Sequence, residues 1–476
     1  MIERLKNQSA TWSILAQQIV IILALVVLEV LIGSGWVPIR TDWLVYGILG
    51  LFLLALSVRR MELGLAAVLL SFLTSISIFS TGSLNLSVTF LLVAMLVGVW
   101  VVRRVQERKL QFDAPGLQPL ILWTIVGIVS VLYSYVAWDL RVPGQGQSWA
   151  EGHRWIGYQL SALAGPLFTT GVYVLTVNGI RSRRWLAILW AVAMGILVFL
   201  VAPSLWAYFR HPLMLPWQVA LSQMDRSDTA GVPQMYLAVL ALGLLLFERN
   251  RWRRVVFGVL FVLGVIGVFA AYYLNTWLGL MGGCLIVIWQ RSKRSFLSIA
   301  VGSALIGLFL LPIIIEIINQ RFSSGDLLRL TIWGSALDIW QTSPLLGVGS
   351  GNLPSYMVAF SPLPWDWVQQ GLFYAHNVYL DVLAETGVVG LVCVLWFIGS
   401  YLKTLWGWTW DCKDELLAGI SAGGIGLFVA NMITALFASG LFLVSSGALF
   451  SVSGYAFNWV LFGAAVAAQR ISKNPS

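Results

Sequence analysis

Apolar residues occur in this chain in runs long enough to cross a bilayer, and that fixes its fold class before any motif is read. A spanning helix needs about 20 mostly apolar residues, and fourteen stretches are candidates: Ile14–Gly33, Trp43–Val58, Leu63–Phe79, Leu86–Val102, Gln118–Trp138, Ile156–Val177, Trp185–Leu205, Val232–Phe247, Val255–Tyr272, Leu274–Trp289, Ser295–Ile317, Asn377–Tyr401, Leu416–Ala438 and Leu441–Ala468. Several are short, among them Trp43–Val58, Val232–Phe247 and Leu274–Trp289. With 59% hydrophobic and only 10% charged residues in 476, the composition excludes an ordinary soluble domain. The sequence predicts an all-α polytopic membrane protein with about 14 (12–14) transmembrane helices. The first apolar stretch is too long for a signal-peptide core and is expected to remain as a helix.

Charge tests the count, because Lys and Arg concentrate in short cytoplasmic loops. With the N-terminus inside, the inner loops collect 22 of the 29 basic residues; the other seven, Arg40, Arg141, Arg154, Arg210, Arg226, Arg321 and Arg329, fall outside. The alternation keeps phase through all fourteen stretches, which puts both termini in the cytoplasm. The net charge of +9 is mostly this topological signal, so it asks for no nucleic-acid partner. Cys284, Cys393 and Cys412 offer no external pair for a disulfide.

Chemistry needs polar groups outside the bilayer core, and three outer loops are large enough to carry them: Asp139–Trp155, Trp206–Gly231 and Asn319–His376. All three histidines (His153, His211, His376) and six of the seven outer arginines lie there. The chain therefore divides into residues 1–318 with helices 1–11, a large external loop at 319–376, and residues 377–476 with helices 12–14 and a cytoplasmic C-terminus. Inside the large loop, "DLLRLTIWGSALDIWQ" places Leu330, Trp333, Leu337 and Trp340 at helical spacing, which predicts a helix lying at the membrane interface. Pro344, Gly347, Gly349 and Gly351 should end it. That glycine run reads either as a tight connection or as a nest of backbone N–H groups for an anion.

His376 precedes Asn377, a good helix N-cap, and should sit at the water boundary. A neutral imidazole there can take a proton from a hydroxyl, or it can simply hold a structural hydrogen bond. Asp381 and Glu385 share one face of the following helix, as catalytic support or as a polar tie between helices; Gly387 and Gly390 read as close-packing positions. Glu29 and Glu316 are further acids within spans. The outer basic residues are all arginine, whose guanidinium grips phosphate bidentately. There is no phosphate-binding loop, no Cys/His metal spacing and no segment large enough for a nucleotide-binding domain. No cofactor and no metal are expected.

"RLTIWGSALDIWQTSPLLGVGSGN" followed by "AHNVYLDVLAETGVVGLV" resembles the signature region of the O-antigen ligase and polymerase superfamily of bacterial membrane glycosyltransferases. Arg329, Trp333, Pro344, Gly347, Gly349, His376, Asn377, Leu380, Glu385, Gly387 and Gly390 match its pattern in order. The resemblance implies a GT-C-like architecture in the bacterial inner membrane and a metal-independent, inverting transfer on the outer face. The donor would be an undecaprenyl-diphosphate-linked glycan, and a lipid or glycan the acceptor. It makes His376 the base acting on the acceptor hydroxyl and Arg329 a ligand of the diphosphate. Many relatives supply a second arginine where this chain has Leu274; Arg226 is the favoured substitute, with Arg210 and Arg154 as alternatives. The motifs leave ligase and polymerase undivided. A transporter coupled through Glu29, Glu316, Asp381 and Glu385, and a catalytically inactive relative, are the competing classes.

Overall fold

A computed structural model describes residues 60–73, 77–80, 85–107, 113–142, 155–210, 231–271, 273–309, 312, 327–362, 374–438 and 452–473. The chain divides into two compact units, Met1–Leu53 and Leu54–Ser476, and all of these residues belong to the second. The two expected spans Ile14–Gly33 and Trp43–Val58, with Glu29, lie outside the described residues, as does Glu316.

Each of the twelve remaining apolar stretches corresponds to a helix. In chain order these are α1 Met61–Leu70, α2 Val88–Gln106, α3 Leu117–Ser134, α4 Trp155–Gly179, α5 Arg183–Arg210, α6 Val232–Phe247, α7 Arg251–Ala271, α8 Leu274–Arg291 and α9 Lys293–Phe309. The large loop then contributes α10 Leu327–Thr342 and α11 Leu353–Phe360, and the chain continues through α12 Val378–Leu405, α13 Glu415–Thr434 and α14 Val452–Lys473. Six of them, α2, α3, α5, α7, α12 and α13, contain segments long and apolar enough to cross a membrane.

One stretch departs from expectation. Leu63–Phe79 was predicted as a single spanning helix, but α1 stops at Leu70, a 3-10 turn covers Ser71–Leu73, and Ser77–Ser80 (β1) pairs antiparallel with Asn85–Ser87 (β2). The sequence "SFLTSISIFSTGSLNLS" explains it, because Ser and Thr bond to nearby backbone in competition with a helix and the β-branched residues favour strand. Ser71 shows the competition directly: its hydroxyl donates to the carbonyl of Val68 (2.7 Å) and accepts from Thr89 (2.7 Å).

The centre of the bundle is the α13 helix, packed against α6, α8 and α14. Lipid tails are as apolar as side chains, so helices in a membrane associate where small residues let backbones approach. The "SAGGIG" run of α13 does this: a Cβ on Gly243 of α6 would stand 2.6 Å from the Gly423 backbone. Farther along, Tyr173, Phe397, Tyr401, Phe428, Trp459 and Phe462 interlock α4, α12, α13 and α14, with the Tyr401 and Phe428 rings 4.1 Å apart. The buried hydroxyls are satisfied there, Tyr401 donating to the carbonyl of Phe462 (3.0 Å) and Tyr173 to that of Pro115 (2.9 Å).

The helix ends sort into two sets. At one end, ion pairs join Arg183 to Asp414 (2.6 Å), Arg249 to Glu415 (2.9 Å) and Arg470 to Asp113 (2.9 Å), all residues expected near inner loops. At the other end, the starts of α8 and α12 meet the end of α13: Gly279 lies against Thr434, and the Val378 N–H donates to the carbonyl of Ala435 (2.9 Å). The pairing of ends follows the alternation predicted from charge.

Candidate functional site

The site is built where α12 begins. Asn377 has an extended backbone, and its side-chain oxygen accepts the N–H groups of Tyr379 (3.0 Å) and Leu380 (3.2 Å), the N-cap expected from sequence. His376, just before it, has φ +49°, a conformation no other described non-glycine residue adopts. Such backbone costs roughly 1–3 kcal/mol and persists only where its surroundings over-determine it.

Three hydrogen bonds do so. The Asp381 carboxylate, one turn into α12, reaches back to accept the Ala375 N–H (2.8 Å). The indole N–H of Trp333 on α10 donates to the Ala375 carbonyl (2.9 Å). Ala375, the residue preceding His376, is thus held at both its N–H and its carbonyl, while Val378 beyond the turn is held by the end of α13. Both ring nitrogens of His376 are covered from solvent.

Trp333 also carries the connection to Arg329, since residues four apart share a helix face. Arg329 therefore lies one turn of α10 from the contact that holds the histidine turn; it is partly exposed. The face of α10 that packs on the protein is distinct from the one expected at the membrane interface. Ile332, Ala336 and Ile339 form its buried stripe, whereas Leu330 and Leu337 are 50% and 38% exposed. The helix is apolar on both sides, so spacing alone does not choose the side that packs. Its buried stripe joins Val142, Val348, Leu353, Tyr356, Met357, Ala375 and Ala384 in one cluster, so the described part of the large loop has a small core of its own, docked on α12.

The glycine run has a different use from anion binding. The N–H groups of Gly347, Val348 and Gly349 donate to the carbonyls of Ser343 (2.9 Å), Ala384 (2.9 Å) and Glu385 (3.0 Å). None of the three is left over for an anion, which removes the nest reading for these positions. Their partner segment is open because α12 breaks at Gly387 (φ 66°, ψ −169°). In exchange, Val388 donates to the Pro344 carbonyl (2.9 Å), and Ser130 of α3 donates to the carbonyls of Leu346 and Glu385 (2.6 Å each). A Cβ on Gly347 would run into the Glu385 backbone, and one on Gly387 into the Leu345 backbone. Gly387 therefore breaks its helix to receive a loop, where the sequence reading expected helix packing.

Beneath this junction, Asp381 and Glu385 are 2% and 7% exposed. With Ser350 and Thr386 they line a cavity of about 20 Å³ between α3, α4 and α12, room for about one water molecule. Asn352, fully buried, donates to the Val348 carbonyl (2.8 Å) and accepts from Gln159 of α4 (3.1 Å). The roles of Trp333, Ser130, Asn352 and Gln159 were not foreseen. Trp333 left a trace in sequence as a position of the family pattern, and Asn352 as a polar residue just before a Leu-Pro helix start.

The arginines expected on the outer side divide. Arg141 is engaged, ion-paired to Asp139 (2.6 Å) and lying over the Phe360 ring (4.6 Å). Hydrogen bonds from the Arg141 side chain and backbone hold the Asp139 carboxyl below its usual range. Arg210 is the last residue of α5 rather than part of a loop; its side chain, Arg226 and Arg154 lie outside the described residues. Leu274, where the resemblance leads one to expect an arginine, is the first residue of α8 and is 50% exposed.

No curated protein matches the chain at a significant level. Residues 259–395, from α7 through the Gly387 break, match the family model described as O-antigen ligase. That stretch contains Arg329, Trp333, the glycine run, His376, Asp381 and Glu385. The segment that builds the site is therefore similar to the O-antigen ligase family over those residues.

Proposed function

We propose that this protein transfers a glycan from an undecaprenyl-diphosphate carrier to an acceptor hydroxyl at the outer face of the bacterial inner membrane, without a metal ion, in the manner of an O-antigen ligase. The observation that carries the reading is the grip on the His376 turn by Trp333 and Asp381, inside the stretch that matches the family.

In the reaction, neutral His376 accepts the proton of the acceptor hydroxyl as its oxygen attacks the anomeric carbon. The bond from that carbon to the diphosphate oxygen breaks, and the electron pair leaves with the diphosphate. Attack opposite the leaving group inverts the anomeric configuration. Arg329 stabilises the charge that grows on the departing diphosphate. Both ring nitrogens of His376 are covered, so access for the acceptor requires local rearrangement around the turn.

The second arginine is assigned to Arg226. Gly231, five residues after it, lies against Thr276 and Ala271, beside the α8 start where Leu274 replaces the family arginine. Buried Asp381 positions the base through the Ala375 peptide, and Asn377 caps the helix that presents it. The same geometry serves a polymerase that joins repeat units, which differs only in its acceptor.

The test is transfer by purified protein with His376→Ala, Arg329→Ala and Arg226→Ala. Each should insert and purify normally. His376→Ala and Arg329→Ala should lose at least about 10²-fold in rate, as removal of a base or an oxyanion-type donor does. Wild-type rates in either would remove that residue from the mechanism.

A further inference from the structure

At the end of the bundle away from His376, the ends of α1, α2, α4 and α5 surround a pocket of about 330 Å³. Asn178 on its wall lies nineteen residues along α4 from Gln159, about 30 Å by helical rise, so the pocket is a bilayer's thickness from the candidate active site. Arg60, Arg103, Arg104 and Arg181 line it, against the two carboxylates Glu62 and Glu107. Among the described residues, only Arg104 of the four has an ion pair, to Glu107 at 3.6 Å. Two tryptophans complete the wall: Arg60 lies over the Trp185 ring (5.8 Å) and Arg104 over the Trp100 ring (5.6 Å). Arginine with tryptophan at a helix end is the composition of a membrane–water interface.

Trp100 also belongs to a second cavity. On its other side lies a groove of about 420 Å³ between α2, α3 and α4, lined by aliphatic side chains with two threonines. Its rim faces outward, with Ile121, Ile125 and Leu167 at 47%, 48% and 60% exposure. A cationic pocket at the interface and an apolar groove running from it into the bilayer, sharing one tryptophan, complement the two halves of one kind of molecule.

We propose that this pair of cavities holds an anionic phospholipid, its phosphate among Arg103, Arg104, Arg60 and Arg181 and one acyl chain in the α2–α3–α4 groove. The charge complementarity argues for a phospholipid with net negative headgroup rather than a zwitterionic one. The lipid would brace α2 against α4 at the inner end. This proposal does not depend on the glycosyltransferase reading.

Native mass spectrometry of the delipidated full-length protein in detergent tests it, with phosphatidylglycerol, phosphatidylcholine, glycerol 3-phosphate and undecaprenyl diphosphate as probes. Wild type should bind phosphatidylglycerol about tenfold or more above phosphatidylcholine. The double variant Arg103→Gln/Arg104→Gln should lose about ten- to thirtyfold of that binding, while Arg251→Gln/Arg253→Gln, which alters arginines outside the pocket, should lose none. Ile121→Trp narrows the groove at an exposed position, so it keeps the fold; it should weaken phosphatidylglycerol and leave glycerol 3-phosphate unchanged. Equal phosphatidylglycerol binding by wild type and the pocket variant would overturn the headgroup site, and no effect of Ile121→Trp would overturn the groove. Glycerol 3-phosphate binding as tightly as the intact lipid would mean a free-phosphate site. Displacement of phosphatidylglycerol by equimolar undecaprenyl diphosphate would mean a carrier site; either result would overturn the resident phospholipid.

Discussion

His376 stands out in the sequence because two local signals coincide on it, the helix-capping Asn377 that follows and the polar turn in an apolar setting, and its proposed role as base comes from the resemblance. What holds it does not stand out. Trp333 lies 42 residues away in the chain, and no spacing rule links an indole to a peptide that distant. The grip makes separable predictions. Trp333→Phe keeps the ring and loses the donor to the Ala375 carbonyl; it should cost about 1–3 kcal/mol of stability and about 10- to 100-fold in transfer rate, with a smaller change in the donor's KM. Asp381→Asn still offers an oxygen to the Ala375 N–H and should keep most of the stability and activity, whereas Asp381→Ala should lose about 1–3 kcal/mol. Thermal unfolding and steady-state rates on the same preparations check both. If Asn is as damaging as Ala, the charge of Asp381 is used in the reaction directly.

At the scale of elements, the apolar runs located the helices well, since length and composition are what a bilayer selects. The exception at Ser77–Ser87 fell where Ser, Thr and Gly interrupt the run. The glycine run and Gly387 were visible as motifs, but their meaning needed both partners: the loop lends its N–H groups to carbonyls that the break in α12 sets free. Gly347→Ala and Gly387→Ala each place a methyl group against backbone at positive φ. Each should destabilise the protein by at least about 2 kcal/mol, seen as a lower unfolding temperature in detergent, and reduce transfer with it. Gly334→Ala, where nothing lies within 4 Å of the added carbon, serves as the control and should leave stability unchanged or slightly raised. Loss of stability in that control equal to the other two would detach the effect from the junction.

For the whole molecule, the loop charges foretold which helix ends belong together, because the same rule that sets topology places arginine at one end of the bundle. They could not foretell that these ends are also tied. Asp414 is the clearest tie, capping α13 through the Leu417 N–H (3.1 Å) and pairing with Arg183. Burial pushes its carboxyl upward, but hydrogen bonds from Arg183 and the helix N–H groups outweigh this and hold it below its ordinary value of 3.8. A depressed carboxylate contributes its stability above the ordinary value and loses it as pH falls through the folded one. At neutral pH, Asp414→Asn, which can still cap, should cost less than about 1 kcal/mol, because Arg183 is largely exposed and screened. Asp414→Ala should cost about 1 kcal/mol more through the lost cap. Unfolding curves of wild type and Asp414→Asn should converge in acid below the folded value; a gap independent of pH would contradict the assignment.

The central claim is that His376 is the base of a glycan transfer. The most direct measurement is product formation by purified protein in nanodiscs, from undecaprenyl-diphosphate glycans with no nucleotide or metal added, for wild type beside His376→Ala at matched protein and unfolding temperature. The account predicts glycan transfer with inverted anomeric configuration by wild type and at least a 10²-fold loss in the variant. Equal transfer by both, or none by wild type with any donor, would contradict it.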